Sequence, residues 1–291
     1  MIDYNPKSWF KVILTFHKSG TVRKFWKELI LIGLFTAAMT FIELKYFKNH
    51  PAIAKVGDFH SFLGLAFSLL LVFRINSAYD KWWEGRKLWG RLVNETRNMA
   101  TKFSVFLPKE ATVERKYVQT LIENYPFALK EHLRDNMKWE ELEEMDGLIA
   151  HLQTKKHVPN EISRLLYEFA MKLKKEGKMS EEEFLSIDKE IKALSDVLGG
   201  CERIKKTPIP YSYSLFLKKF IFIFISTAPI GFIPAMEYYT IPVAIVIFYV
   251  FVSLEYIAEE IEDPFGLDAN DLPTDRLAKT IKANVTEIFN G

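Results

Sequence analysis

Residues Phe220–Leu254 read FIFIFISTAPIGFIPAMEYYTIPVAIVIFYVFVSL, a run of 35 positions whose only charge is Glu237. A membrane-crossing helix needs about 20 predominantly apolar residues, so the run has room for two, one on each side of Glu237. It is too long and too apolar for a buried helix of a soluble protein. Two further uncharged runs precede it, Leu29–Ile42 and Phe59–Phe73. Each is short by itself, and the flanks extend both. Trp26, Tyr46 and Phe47 suit the membrane interface, while Lys27, Lys45 and Arg74 can snorkel outward. The expectation is an all-α integral membrane protein with four spanning segments.

Composition averages hide this pattern. Apolar residues make up 49% of the 291 positions and charged residues 26%, as in an ordinary soluble protein, because a charge-rich middle third offsets the apolar runs. A formal net charge of +2 offers no general attraction to nucleic acid, and no basic block carries interleaved stacking aromatics. Cys201 is the only cysteine, which rules out an internal disulfide and a thiolate metal cluster. The histidines, His17, His50, His60, His132, His151 and His157, show no ligand-like i, i+3 or i, i+4 pairing. No small-residue cleavage site follows the first apolar run, so the spans are expected to remain in the mature protein.

Charge placement sets the orientation. Lys7, Lys11, Lys18, Arg23, Lys24 and Lys27 precede the first run, and Lys and Arg crowd both ends of the 74–219 connection. The stretch between the first two runs has three lysines, and the Glu237 turn has none. The positive-inside rule then puts both termini and the long connection in the cytoplasm, at a cell inner membrane. The expected organisation is a cytoplasmic or interfacial helix at 1–24 with Trp9, Phe10, Ile13 and Phe16 on one face, then spans one and two at 25–76. A large helical cytoplasmic domain at 77–212 follows, then spans three and four at 213–258, and a C-terminal cytoplasmic segment and helix at 259–291.

Within the middle domain the sequence predicts helices at Glu84–Leu107 and Thr112–Asn136, and another from an Asn160 N-cap to Gly177. Ser180-Glu181-Glu182-Glu183 has capping-box spacing and opens a helix expected to stop at Gly199-Gly200. Thr274–Asn290 reads as a last amphipathic helix. No nucleophile elbow, phosphate-binding glycine loop or zinc-type His-Glu-x-x-His is present, so no residues are nominated for catalysis and no cofactor is expected.

The second apolar run is more informative. Leu65, Leu69 and Phe73 recur every four residues and form one stripe, which in a single helix is ordinary packing. Gly64 and Ser68 occupy a neighbouring face, where helices can approach closely. Directly after it comes Asn76-Ser77-Ala78-Tyr79-Asp80-Lys81-Trp82-Trp83-Glu84-Gly85-Arg86-Lys87-Leu88-Trp89-Gly90. Here Trp82, Arg86 and Trp89 share a helical face on which a guanidinium can stack on indole, and Asp80, Glu84 and Arg86 can pair. The residues alone describe a helix entering a packed interface.

This motif resembles the signature of the bestrophin family, in its prokaryotic branch. Two further pieces agree in order and spacing: Cys201-Glu202-Arg203-Ile204 leading to Thr207-Pro208-Ile209-Pro210, and Glu262-Asp263-Pro264-Phe265-Gly266 with Asn270-Asp271-Leu272-Pro273. The resemblance implies a homopentameric ion channel around a central pore, with the second span lining a hydrophobic neck at Leu65, Leu69 and Phe73. It implies a lower pore constriction near Glu182 or Glu183, where relatives carry an apolar residue. It also places Glu260, Asp263, Asp268 and Asp271 where animal members hold calcium. The partners implied are further copies of the chain, the lipid bilayer and small monovalent ions, chloride or sodium and potassium. An apolar neck leaves the sign of the permeant ion open, since Phe73 ring edges favour anions and a glutamate ring below favours cations. The competing reading is a membrane-anchored scaffold or regulator that conducts nothing.

Overall fold

The computed structural model describes residues 20–47 and 51–291, and every regular element among them is helical. The interfacial helix expected at 1–24 lies almost wholly outside the described residues. In chain order the helices are α1 Gly20–Tyr46, α2 Pro51–Phe106, α3 Thr112–Leu133, α4 Leu148–Gln153, α5 Val158–Lys175, α6 Glu181–Lys206, α7 Tyr211–Met236, α8 Thr240–Glu262 and α9 Thr274–Asn290. Short 3-10 turns sit at Trp139–Glu141 and Glu237–Tyr239. The chain divides into two units, one taking residues up to Asp80 with Pro208–Glu262, the other Lys81–Thr207 with Asp263–Gly291.

The first unit packs α1, the N-terminal part of α2, α7 and α8 against one another. Its core is Phe67, Leu71, Leu217, Ile221, Phe224 and Ile225. Phe67 stacks on Phe220 at 4.7 Å between ring centres and meets Phe251 edge-on at 5.0 Å. Bulky side chains such as Leu31, Leu34, Phe62, Phe222 and Val246 remain exposed around it. So much exposed apolar surface is unfavourable in water and natural in lipid. Three helical stretches, Gly20–Tyr46, Lys55–Phe106 and Tyr211–Glu262, are long and apolar enough to cross a membrane. The last contains both α7 and α8, with the backbone turning at Glu237, φ +48°.

Two details differ from expectation. Lys27 and Lys45 do lie over the Trp26 and Tyr46 rings at 5.7 and 5.3 Å, but Arg74 does not snorkel. It is 1% exposed and pairs with Glu262 at 2.8 Å and Glu255 at 3.4 Å. Two carboxylates within reach make burial cheaper than extension. Gly64 does meet the Phe224 ring, as expected for a face where helices approach, but the tightest glycine contact among the described residues of this unit is one the sequence reading did not name. Gly57 meets Gly231 so tightly that a Cβ on Gly57 would sit 2.7 Å from the Gly231 carbonyl oxygen.

The second unit wraps α3, α5, α6 and α9 around the C-terminal part of α2. Trp89, Phe103, Tyr125 and Ile191 are fully buried there, and the Tyr125 hydroxyl donates to the Leu194 carbonyl at 2.9 Å. α3 ends at Leu133, three residues before the expected Asn136, where Asp135 turns left-handed at φ +53°. Arg134 is drawn there into a charge network. It donates to both Asp275 oxygens, while Lys130 reaches Asp275 at 2.7 Å and Glu131 at 3.0 Å.

Two cap assignments need correction. α5 starts at Val158, and its N-cap is His157, whose ring accepts from the Asn160 N–H. Pro159 suits the first turn because it has no N–H to satisfy, so Asn160 lies inside the helix. α6 opens on the expected Ser180–Glu183 capping box and then runs through Gly199-Gly200 to Lys206. A Cβ on Gly200 would meet Leu88 at 2.8 Å, so this glycine admits a neighbouring helix and does not end its own.

Two outcomes follow from this packing. Gly57→Ala forces a methyl against backbone and should destabilise by about 1–3 kcal/mol. Gly199→Ala meets no atom within 4 Å, so it should be neutral or stabilising by about 0.5–1 kcal/mol. A thermal midpoint of Gly57→Ala equal to or above that of wild type would refute the Gly57 contact. The second outcome concerns Asp275. The Arg134 guanidinium, against some burial and with Lys130 beside it, holds this carboxyl well below the usual carboxylate range. A depressed folded-state pKa contributes stability above the unfolded value near 4 and loses it as pH falls toward the folded value. Asp275→Asn should therefore cost about 1–2 kcal/mol at neutral pH, discounted because the carboxylate is half-exposed. The midpoint gap between wild type and variant should begin to narrow below about pH 4 and keep shrinking with further acid; a gap that stays constant as pH falls below that value would refute this account.

Candidate permeation helix and its flanking motifs

The candidate neck lies on α2, within the first unit. Four residues per step and about 1.5 Å rise per residue put Leu65, Leu69 and Phe73 in one row. They are 65%, 56% and 63% exposed, although they are among the bulkiest apolar side chains of the helix. Phe67, Leu71, Arg74 and Ala78, on the opposite side, are buried. A two-residue step turns the helix by about 200°, so one face is committed to α7 and α8 and the other is left exposed among the described residues. Between them, Gly64 brings the Phe224 ring within 3.4 Å of its missing Cβ, and the exposed Ser68 hydroxyl donates to the Gly64 carbonyl at 2.8 Å.

Asn76, Tyr79 and Asp80 are exposed at the end of this stretch. Beyond them, in the second unit, the three sequence motifs meet. Trp82 Nε1 donates to the Asn270 carbonyl at 3.0 Å, and Lys81 Nζ donates to the Thr207 carbonyl at 2.7 Å. A Cβ on Gly85 would sit 3.2 Å from Pro264 and from Phe265. Glu84 pairs with Arg203 of α6, so the pairing expected within the motif goes to another helix. The expected guanidinium stacking is replaced as well. Trp82 stacks on Trp83 at 6.4 Å and 17°, Trp89 is buried in the core, and Arg86 Nη1 lies 3.3 Å from where a Gly90 Cβ would be. Trp89 is held by apolar packing, and Trp82 packs against the same core while donating to a backbone carbonyl.

At the start of α6, Glu183 Oε2 accepts the Ser180 N–H at 2.7 Å and Ser180 Oγ accepts the Glu183 N–H at 3.1 Å. Glu183 is thus engaged as a cap, whereas Glu182 is exposed. Leu185, 52% exposed beside them, is a bulky apolar side chain that charge-based reading passed over.

Among the acidic residues after α8, Asp263 and Asp271 have partners within the second unit. Glu260 belongs to the first unit, and the other three to the second. Asp263 accepts from Lys205 at 2.9 Å. Asp271 is buried and accepts the Asp268 N–H at 2.6 Å, with Gly266 so close that a Cβ would meet the same oxygen at 2.8 Å. The Leu272 N–H closes the loop on the Pro264 carbonyl at 2.8 Å. One oxygen of Asp263 thus meets a lysine and one oxygen of Asp271 a backbone amide, contacts that help to fold the loop.

The structure instead brings together ligand atoms the sequence left apart. His132, His157 and Glu202 form one group, and Glu131, Glu141 and Asp275 another. Neither has a helical repeat in sequence, because each draws on separate elements.

A family model described as Bacterial/Fungal Bestrophin protein matches residues 1–287. The voltage-dependent anion channel-forming protein alr2987 of Nostoc sp. is 31% identical over 288 residues, covering 97% of this chain and 92% of its own. The voltage-dependent anion channel-forming protein YneE of Escherichia coli K12 is 31% identical over 294 residues, covering 99% and 94%. A crystal structure of a point variant of a bacterial bestrophin homolog from Klebsiella pneumoniae superposes with a TM-score of 0.82 at 27% identity, covering 92% of this chain and 100% of that one. The chain therefore belongs to the bestrophin family.

Proposed function

We propose that this chain forms a homopentameric channel that passes small monovalent anions of the chloride type across the cell inner membrane. α1, α2, α7 and α8 are its four spans, and both termini and the Lys81–Thr207 helices lie in the cytoplasm. The observation that carries the reading is the row Leu65, Leu69 and Phe73, bulky and exposed on a helix whose opposite face is buried. Five copies around an axis turn that row into three apolar rings, a constriction that conducts according to how readily it wets. The names of the two curated relatives favour anions, and so do the positive ring edges of Phe73.

Purified protein in planar bilayers should show discrete unitary currents, and its mass in detergent should correspond to five chains. A monodisperse monomer or dimer, or silence from pure pentamer, would return the chain to the scaffold reading. Changing Leu65, Leu69 and Phe73 together to Ala should leave pentamers intact and give larger or continuously open currents, because no packed core is lost. Misfolded protein would instead mean that the row packs against other helices, at several kcal/mol for the triple change.

Ion sign is tested lower down. A ring of glutamates at the base of the vestibule would oppose anions, so Glu182→Gln should shift the reversal potential in a salt gradient toward stronger anion preference. Glu183→Gln keeps the capping box, which tolerates Gln, and should shift it less. Unchanged reversal potentials in both would remove Glu182 and Glu183 from the pathway.

A further inference from the structure

Three helices of the second unit converge on one carboxylate. His132 is in the last turn of α3, His157 caps α5, and Glu202 is near the end of α6. His132 Nε2 lies 2.7 Å from Glu202 Oε1 and His157 Nε2 lies 3.1 Å from the same oxygen. The two imidazoles face each other with ring centres 4.2 Å apart. The side chains are 21%, 31% and 22% exposed, so the group is neither sealed in the core nor loose on the surface. Two imidazole nitrogens and one carboxylate oxygen, gathered from residues 25 and 45 positions apart, are an unusual expenditure for tying helices together. The other close group, Glu131, Glu141 and Asp275, is already paired with Lys130 and Arg134 and has no such composition.

We propose that His132, His157 and Glu202 bind a zinc-type transition-metal ion. Two His and one carboxylate make a three-ligand set with a fourth position left to water. Nitrogen donors favour zinc, cobalt, nickel or copper over calcium and magnesium, which prefer oxygen alone. Tetrahedral bonds of about 2.0–2.1 Å put ligand atoms about 3.3 Å apart, so the two nitrogen–oxygen distances of 2.7 and 3.1 Å need to open by about 0.6 and 0.2 Å. His132 sits at a helix C-terminus, where the dipole favours a cation.

Ligation has local costs. Each imidazole must carry its proton on Nδ1 for Nε2 to coordinate, and His157 Nδ1 now accepts the Asn160 N–H at 3.3 Å. That long cap bond is given up. Lys206, 3.4 Å from Glu202 and largely exposed, must swing away. Cys201, next in sequence to Glu202, does not join the set. It is buried in the core, and burial, with Glu84 and Glu202 nearby, pushes its thiol up to about 12, whereas a ligand must be thiolate.

The test uses tag-free, full-length protein in detergent, stripped with chelator and titrated with Zn2+ against a competing indicator. One Zn2+ per chain is expected. Glu202→Gln and His157→Asn should each weaken binding at least about tenfold; Asn is itself a good N-cap, so the second variant keeps the start of α5. Wild type that binds no zinc, or variants that bind it as well, would overturn the site. If either variant fails to fold, Co2+ added to wild type decides. Visible bands of a tetrahedral nitrogen–oxygen site support it, while their absence, or a thiolate charge-transfer band implicating Cys201, refutes it.

Discussion

A guanidinium buried among apolar helices dictates much of the first unit. Arg74 ends the row of apolar residues on α2, and its charge can be housed there only if carboxylates come to it. Glu255 and Glu262 do so from α8, and Glu262 also accepts the Ile209 N–H at 2.5 Å at the entry to α7. One carboxylate thus ties α2, α8 and the start of α7. Breaking such a set typically costs about 3–5 kcal/mol, because the remaining buried charges are left uncompensated. Once α2 is held this way, Phe67 and Leu71 must face inward, and Leu65, Leu69 and Phe73 cannot. The exposure of the candidate neck is a consequence of where the arginine goes.

The second unit answers a different problem. Its α2 segment presents Trp82, Gly85 and Trp89 to elements far along the chain, and each contact uses a distinct physical device. Trp82 uses a hydrogen bond to the Asn270 carbonyl, Gly85 the absence of a side chain, and Trp89 complete burial. The loop 263–273 is folded onto itself by the buried Asp271 carboxylate, which makes it a preformed surface for Gly85. Charge here serves cohesion. Lys130, Arg134 and Asp275 link α3 to α9, and Arg203 links α6 to α2.

Sequence reading succeeded where a property depends on neighbours within about one helical turn. The all-helical class, the apolar runs, the Ser180–Glu183 capping box and the Leu65–Leu69–Phe73 row all follow from local periodicity or local capping chemistry, and the family was legible from three motifs in order. It failed where glycine has two opposite uses. Gly199-Gly200 looked like a helix stop, yet Gly200 is there so that Leu88 can approach. Arg74 looked like a snorkelling residue because its partners on α8 are about 180 positions away in the sequence.

The same division applies to the sites. The sequence by itself determined which helices are apolar, which faces they carry and which family they belong to, since these depend on the order of residues alone. Only the tertiary structure decided that the Leu65, Leu69 and Phe73 row is an exposed face and that Asp263 meets Lys205 while Asp271 meets the Asp268 N–H. It alone gathered His132, His157 and Glu202. Side-chain chemistry is written along the chain, but a ligand set or a free face exists only after helices pack, because packing chooses which of each helix's faces is consumed.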